Sequence, residues 1–278
     1  MPVRIVQSKQ NARLKELRSA LARPGRNEAG LAGIEGPHLL SEALRSGLRI
    51  ACVFAAEGAE RLLAEIELPD EVEVLRMPKG LLDSALKTET PQPVAALVEP
   101  PAWTWAQLVG SGRRAPALLV VLSGLQDPGN LGAIVRSAEA FGANGVLCLS
   151  GTVSAWNPKA VRASAGSVFR LPILAASEAE AVEQLRKAGV RLYATAAHGA
   201  EPADLADLAA PVALLIGNEG SGVSPELATQ ADGAITIPCP GPVESLNAAV
   251  ATSVLLYEAS RQRAKRNSGL NGLRGGKR

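Results

Sequence analysis

Residues 117–149 read ALLVVLSGLQDPGNLGAIVRSAEAFGANGVLCL, and this stretch decides the fold class. Ala117 to Leu125 is apolar almost throughout, the run expected of a parallel strand covered on both faces. Asp127-Pro128-Gly129-Asn130 follows as a turn, and Asp127 or Asn130 can cap the helix after it. Leu131, Ile134, Val135 and Ala138 then follow the i, i+3, i+4, i+7 spacing of one helix face. GVLCLS (145–150) is a second buried strand, so the stretch predicts a strand-helix-strand unit.

Downstream the alternation continues. EAEAVEQLRKAG (178–189) is a helix, RLYATAA (191–197) a strand, VALLIGNEGSG (212–222) a strand entering a glycine-rich turn, and AITIPC (234–239) another strand. SLNAAVATSVLLYEASRQRAKR (245–266) is a long closing helix. Strands alternating with helices predict an α/β fold with a parallel sheet and helices on both faces.

Upstream, Leu14, Leu17 and Leu21 give 10–21 an amphipathic helix with a cationic polar face. GIEGPHLLSEALRSG (33–47) pairs a strand-like entry with a helix starting near Pro37. RIACVFAAE (49–57) and EVEVLRM (71–77) are strands flanking the helical GAERLLAEIE (58–67). The expected organisation is a small α/β domain over 1–98, ending in TPQPVAALVE, a Pro-, Gly- and Arg-rich connection over 99–116, the parallel-sheet domain over 117–266, and a basic flexible tail over 267–278. Trp103 and Trp105, in the connection, suit interdomain packing better than base stacking.

The 278 residues carry 29 Lys plus Arg against 27 Asp plus Glu, a formal charge of +2. Its distribution is uneven. Residues 1–26 hold Arg4, Lys9, Arg13, Lys15, Arg18, Arg23 and Arg26 against Glu16, and residues 259–278 hold Arg261, Arg263, Lys265, Arg266, Arg274, Lys277 and Arg278 with no acid. These ends carry +6 and +7, leaving −11 between them. A weakly acidic body with two basic ends suits a polyanionic partner. Cys52, Cys148 and Cys239 lack paired spacing, and two histidines stand far apart, so neither a disulfide framework nor a metal site is indicated. A reducing cytoplasm fits, and no apolar stretch has the length of a membrane span.

Ligands of parallel α/β sheets bind beyond the carboxyl ends of strands. Three loops there stand out: Asp127 to Gly132 leading to Arg136, Ile216-Gly-Asn-Glu-Gly-Ser-Gly222, and the proline-stiffened Ile237 to Asn247. The glycines permit close backbone approach to a ligand, but G-x-x-G-x-G is not the dinucleotide fingerprint, and P-loop, G-x-S-x-G and H-E-x-x-H patterns are absent. Physics alone reaches a small-ligand α/β domain and no reaction.

The same loops carry a resemblance. Asn130-x-Gly132-x-x-x-Arg136, Ile216 to Gly222 and Ser245-Leu246-Asn247 resemble, in order and spacing, the three motifs of the SpoU/TrmH-type RNA ribose 2′-O-methyltransferases of the SPOUT class, over about 117–265. SKQNARLKELR, GIEGPHLLSEAL and TETPQPVAALV look like the substrate-binding domain, similar to a small ribosomal protein, of rRNA-modifying members. The resemblance implies a C-terminal trefoil knot, a homodimer, and S-adenosyl-L-methionine held by backbone around Thr195, Gly217, Ile237 and Leu246. It places Asn130, Arg136, Glu219, Ser245 and Asn247 at the catalytic polar positions, with Arg136 activating the ribose hydroxyl and Glu219 and Asn130 orienting Arg136 or the ribose. The implied substrate is RNA, foremost large-subunit ribosomal RNA bound by the basic N-terminal domain and C-terminal basic residues. The same reaction on transfer RNA, or a catalytically silent RNA-binding factor, are the alternatives. Cys239-Pro-Gly-Pro242 is more proline-rich than the usual third motif.

Overall fold

The computed structural model describes residues 2–22, 26–86, 88–110 and 115–274. Arg23, Lys277 and Arg278, counted above among the basic residues, lie outside them. The chain forms two compact units: Met1–Ala102 with Ser154–Arg170, and Trp103–Val153 with Leu171–Arg278.

In the first unit, strands β1 (Val3–Ile5), β2 (Ala32–Glu35), β3 (Ile50–Ala56), β4 (Val74–Met77) and β5 (Val94–Val98) make one sheet in the order β1-β4-β3-β5-β2. β1, β4 and β3 run parallel, and β5 is antiparallel to both β3 and β2. Its helices are α1 (Ala12–Ala22), α2 (Pro37–Arg45), α3 (Glu60–Ala64) and α4 (Lys79–Asp83). α1 buries the expected Leu14, Leu17 and Leu21, in one core with Phe54, Met77 and Leu97. Gly33 on β2 is what lets α1 approach: a Cβ there would stand 2.9 Å from the Leu21 side chain.

The second unit holds β6 (Leu118–Leu122), β7 (Gly145–Leu149), β8 (Ile173–Ala176), β9 (Arg191–Thr195), β10 (Glu201–Pro202), β11 (Val212–Ile216) and β12 (Gly233–Thr236), with α5 (Trp105–Leu108), α6 (Pro128–Ala140), α8 (Glu178–Lys187), α9 (Pro225–Ala228) and α10 (Ala248–Arg274). The strands follow the order β10-β12-β9-β11-β6-β7-β8, and every pairing is parallel. β6 explains its own unbroken apolar run. Leu119 and Val121 share a core with Leu108 of α5 and Ala181 and Leu185 of α8. Leu118, Val120 and Leu122 point to the opposite face, where α6 and α10 pack on each other and on the sheet.

Two stretches depart from the sequence reading. Within the expected connection, Leu108 is fully buried in the second unit, and the Trp105 indole donates to Glu180 Oε1 at 3.1 Å. Trp105 therefore packs inside the second unit. Helix α10 continues to Arg274, across most of the stretch read as a flexible tail; Gly269 and Gly272 each cost about 1 kcal/mol in a helix, which weakens the last turns without ending them. α7 (Pro158–Ser164) lies between β7 and β8 in the chain yet belongs to the first unit. There Arg170 pairs with Glu42 at 2.6 Å and Trp156 stacks on Phe169. Among the described residues no helix is long and apolar enough to cross a membrane.

Candidate active site

β6 has β11 on one side and β7 on the other, so the strand order turns between β6 and β11 and leaves a crevice at their carboxyl ends. The register Ile216↔Leu122 sets the loop after β11 beside the loop after β6. Asp127 caps α6, its carboxylate accepting from the amides of Gly129 and Asn130. Glu219 reaches across from the other loop. Its Oε2 accepts from the Gln126 amide at 3.1 Å, and Oε1 accepts from the Asp127 amide at 3.0 Å and Asn130 Nδ2 at 3.2 Å. Burial pushes the Glu219 pKa up, but the amide donors outweigh it, and the carboxyl is held below its ordinary range.

The third loop joins through Asn247, whose Nδ2 donates to Asn130 Oδ1 at 3.1 Å. The Asn247 Oδ1 accepts from the amides of Ala249 (2.9 Å) and Val250 (3.3 Å), capping α10. Glu219, Asn130 and Asn247 thus form one continuous chain of hydrogen bonds linking all three loops.

Beside this chain opens a cleft of about 770 Å³, within the usual range of small-molecule sites. Thr195, Gly217, Ile237 and Leu246 all line it, together with Glu219, Ser245 and Asn247. Ile216, Ile235 and Leu255 give it apolar wall, and the turn from Gly217 to Gly222 presents backbone. Apolar surface for a purine and bare backbone for its polar edges fit an adenosine carrying an amino-acid tail. The Thr195 hydroxyl donates to Leu215 O at 2.9 Å, so its side chain is tied to the sheet.

Arg136 is not brought to the cleft. It lies six residues beyond Asn130 on α6, turned from it by about 120°, and its exposed side chain makes no hydrogen bond or ion pair among the described residues. Asn130 bonds to Glu219 and Asn247, and Glu219 to Asn130 and backbone amides, instead of to Arg136. Gly217 also has a reason other than ligand approach: a Cβ there would fall well inside 3.0 Å of the backbone of Gly222 and Val223. Two residues escaped notice in the sequence. Asn218 donates to Gly124 O at 2.8 Å and accepts from the amides of Gly220 and Ser221, and Gln126 donates its side chain to Gly124 O and Gly151 O. Asparagine among glycines is a turn signal that could have revealed the first; Gln126 had none.

Residues 117–257 match the SpoU rRNA Methylase family, and residues 11–96 match the MRM3-like substrate binding domain. The chain belongs to the SpoU rRNA methylase family. A Bacillus subtilis relative, the 23S rRNA (guanosine(2553)-2′-O)-methyltransferase RlmP, is 30% identical over 91% of this chain and 97% of its own length. The SpoU methyltransferase AviRb of Streptomyces viridochromogenes, solved with AdoMet, is 33% identical with a TM-score of 0.79, covering 92% of this chain and 99% of AviRb. An AdoMet-bound rRNA methyltransferase of Sinorhizobium meliloti is 32% identical with a TM-score of 0.81, covering 93% and 98%. The protein is therefore an S-adenosylmethionine-dependent RNA ribose 2′-O-methyltransferase with the knotted SPOUT fold of the SpoU enzymes.

The Glu219 network has a pH signature. A carboxyl whose folded pKa is depressed contributes fully above its unfolded pKa, about 4.3, and loses that contribution as pH falls through the folded value. The network's contribution to stability is expected to stay level between about pH 6.5 and 5 and to fall below about pH 4. Glu219→Gln, with one acceptor oxygen and a misplaced donor, should be less stable at every pH and lose this acid dependence. Thermal unfolding across pH would check this, and identical acid profiles for both proteins would contradict it.

Proposed function

We propose that S-adenosylmethionine occupies the cleft at Thr195, Gly217, Ile237 and Leu246, that Arg136 receives the target ribose, and that the substrate is large-subunit ribosomal RNA. The observation that carries this reading is the Glu219–Asn130–Asn247 chain, which ties the cleft wall to the helix bearing Arg136. In-line methyl transfer requires nucleophile, methyl carbon and sulfur to be aligned, and alignment supplies much of the rate. The cofactor supplies a sulfonium methyl. Asn130, Glu219 and Asn247 hold the loops that fix its place, and Ser245 lines the cleft. With no partner among the described residues, the planar guanidinium of Arg136 can grip the phosphate beside the target and polarise the 2′-hydroxyl, easing loss of its proton to water.

The substrate-binding match over 11–96 supports ribosomal over transfer RNA, and a ribosomal substrate places the work in the cytoplasm. The basic ends narrow to fewer candidates for phosphate. Arg4 pairs with Glu73 and Arg13 with Glu16, and Arg18 donates to Lys9 O and Ser84. Lys9, Lys15 and Arg26 are exposed, and their side chains have no partner among the described residues. At the C-terminal end Arg261 is bidentate on Glu258 and Arg263 is half-buried against carbonyls, which leaves Lys265 and Arg266 among the side chains the structure describes. The triple variant Lys9→Ala, Lys15→Ala, Arg26→Ala should weaken RNA binding and flatten its log–log salt slope by about two to three, with cofactor affinity unchanged. Filter binding across salt would show this.

A homodimer completes the reading. Val250, Val254 and Tyr257 of α10 are 51%, 41% and 57% exposed and recur at i, i+4 and i+7, an apolar stripe on an otherwise packed helix. Val254→Glu should yield a monomer in sedimentation; an unchanged mass would remove this part. The enzymatic reading is tested by mapping 2′-O-methyl groups in total RNA from a strain lacking the protein. One large-subunit position should lose its methyl and regain it with the wild-type gene but not with Arg136→Ala; an unchanged methylation map would overturn the assignment.

A further inference from the structure

We propose that Arg263, midway along α10, is a positioning residue for the cofactor cleft, fixing the register of α10 on β6 and β11 and thereby the place of Leu246 and Asn247. The inference rests on the cleft reading above. Among the described residues Arg263 hydrogen-bonds only to backbone carbonyls: Nε donates to Leu208 O (3.0 Å), Nη1 to Pro116 O (2.5 Å), and Nη2 to Ala117 O (2.9 Å) and Ala210 O (2.7 Å). Partial burial pushes its pKa down to about 10, with Asp207 as the opposing attraction. A half-buried cation is costly unless its donors are satisfied, and a planar fork set in four carbonyls tolerates little displacement. Gln262 adds to the hold: its Nε2 donates to Ala206 O at 3.1 Å and its Oε1 accepts from the Leu208 amide at 2.9 Å.

The location of these carbonyls gives the device its meaning. Pro116 and Ala117 lead into β6, Leu208 and Ala210 lead toward β11, and the Val212 amide donates to Ala117 O at 2.9 Å. Arg263 therefore sits where both strands begin. Asn247, at the N-cap of the helix, sits where both end, bonded to Asn130 beyond β6 and through it to Glu219 beyond β11. Sixteen helical residues span about 24 Å, against about 20 Å for the strand from Ala117 to Ser123. The first half of α10 thus bridges the two strands lengthwise and is fastened at Asn247 and at Arg263, with the Ser137–Ser253 hydroxyl pair (2.7 Å) between. A slip of one residue, about 1.5 Å, would break the Asn247–Asn130 bond and shift the cleft wall.

The test is a double-mutant cycle on the full chain with S-adenosylmethionine binding by calorimetry. Arg263→Lys keeps the charge and loses the fork; its affinity should fall about fivefold, with RNA affinity unchanged. Arg263→Lys with Asn247→Ala should bind no worse than Asn247→Ala alone, within about twofold. Sites this far apart normally add, so additive losses would overturn the proposal. Should Arg263→Lys fail to fold, Gln262→Ala takes its place in the cycle. Hydrogen exchange needs no ligand and gives a second reading: the Ala249 and Val250 amides should exchange faster in the variant, and acceleration confined to 116–117 and 208–212 would overturn the proposal. Acceleration at Ala249 and Val250 in the variant, together with a wild-type protein that binds no cofactor, would instead count against the cleft reading.

Discussion

Gly217→Ala is expected to lower S-adenosylmethionine affinity about 100-fold, some 2.7 kcal/mol, in a protein that still unfolds cooperatively. The added methyl would enter the space of the Gly222 carbonyl and the Val223 amide nitrogen, which are backbone and cannot rotate away. Overpacking a tight site costs about 1–3 kcal/mol, and here relief is available only by opening the turn. The turn is closed by reciprocal bonds between Asn218 and Gly222, each 2.9 Å, and by Asn218 on Gly124, so opening it displaces Glu219 as well. Gly222→Ala is the contrast. Gly222 has φ +68 and open space around its Cβ position, so the cost is the left-handed backbone alone, about 1–2 kcal/mol, and the loss should be smaller. Calorimetry on both variants checks the order; full affinity in Gly217→Ala would mean that this turn does not wall the cofactor site.

Arg136→Lys is expected to reduce kcat about 100-fold or more while cofactor affinity stays within about twofold of wild type. Arg136 is exposed, without a partner among the described residues, and away from the cleft lining, so its loss disturbs neither packing nor the cleft wall. Lysine preserves the charge but is a point donor in place of a planar fork, and cannot hold a phosphate and a hydroxyl in one fixed geometry. Single-turnover methyl transfer with saturating cofactor would separate chemistry from binding. Near-normal turnover in this variant would reduce Arg136 to a source of charge, and a matching loss of cofactor affinity would place it in the cleft wall instead.

The strands and helices of the second unit were legible because their signals are strong: β6, β7 and β11 are unbroken apolar runs, and α6 carries a clean stripe. The strands that escaped lack such signals. β5 follows Pro91 and Pro93 and reads as the end of a domain, although it lies between β3 and β2. β8 is a partly exposed edge strand of four residues, and β10 has only two. In the site, Asn130, Glu219 and Asn247 were legible as polar residues at strand ends, but their mutual bonding was not, since 89 and 117 residues separate the partners. Gln126, acting largely through its backbone amide and two glycine carbonyls, carries no residue-type signal at all.

The sequence by itself determined the alternation of strand and helix, a cap for α6 at either Asp127 or Asn130, and three motifs specific enough to indicate the family, because each depends on residues near one another in the chain. The tertiary structure alone decided which charges are free to meet RNA, why residue 217 is glycine, and that Arg263 faces carbonyls instead of phosphate. Those outcomes depend on backbone groups brought together from distant segments, and a backbone carbonyl or amide is the same at every position of a sequence until the fold gives it a neighbour.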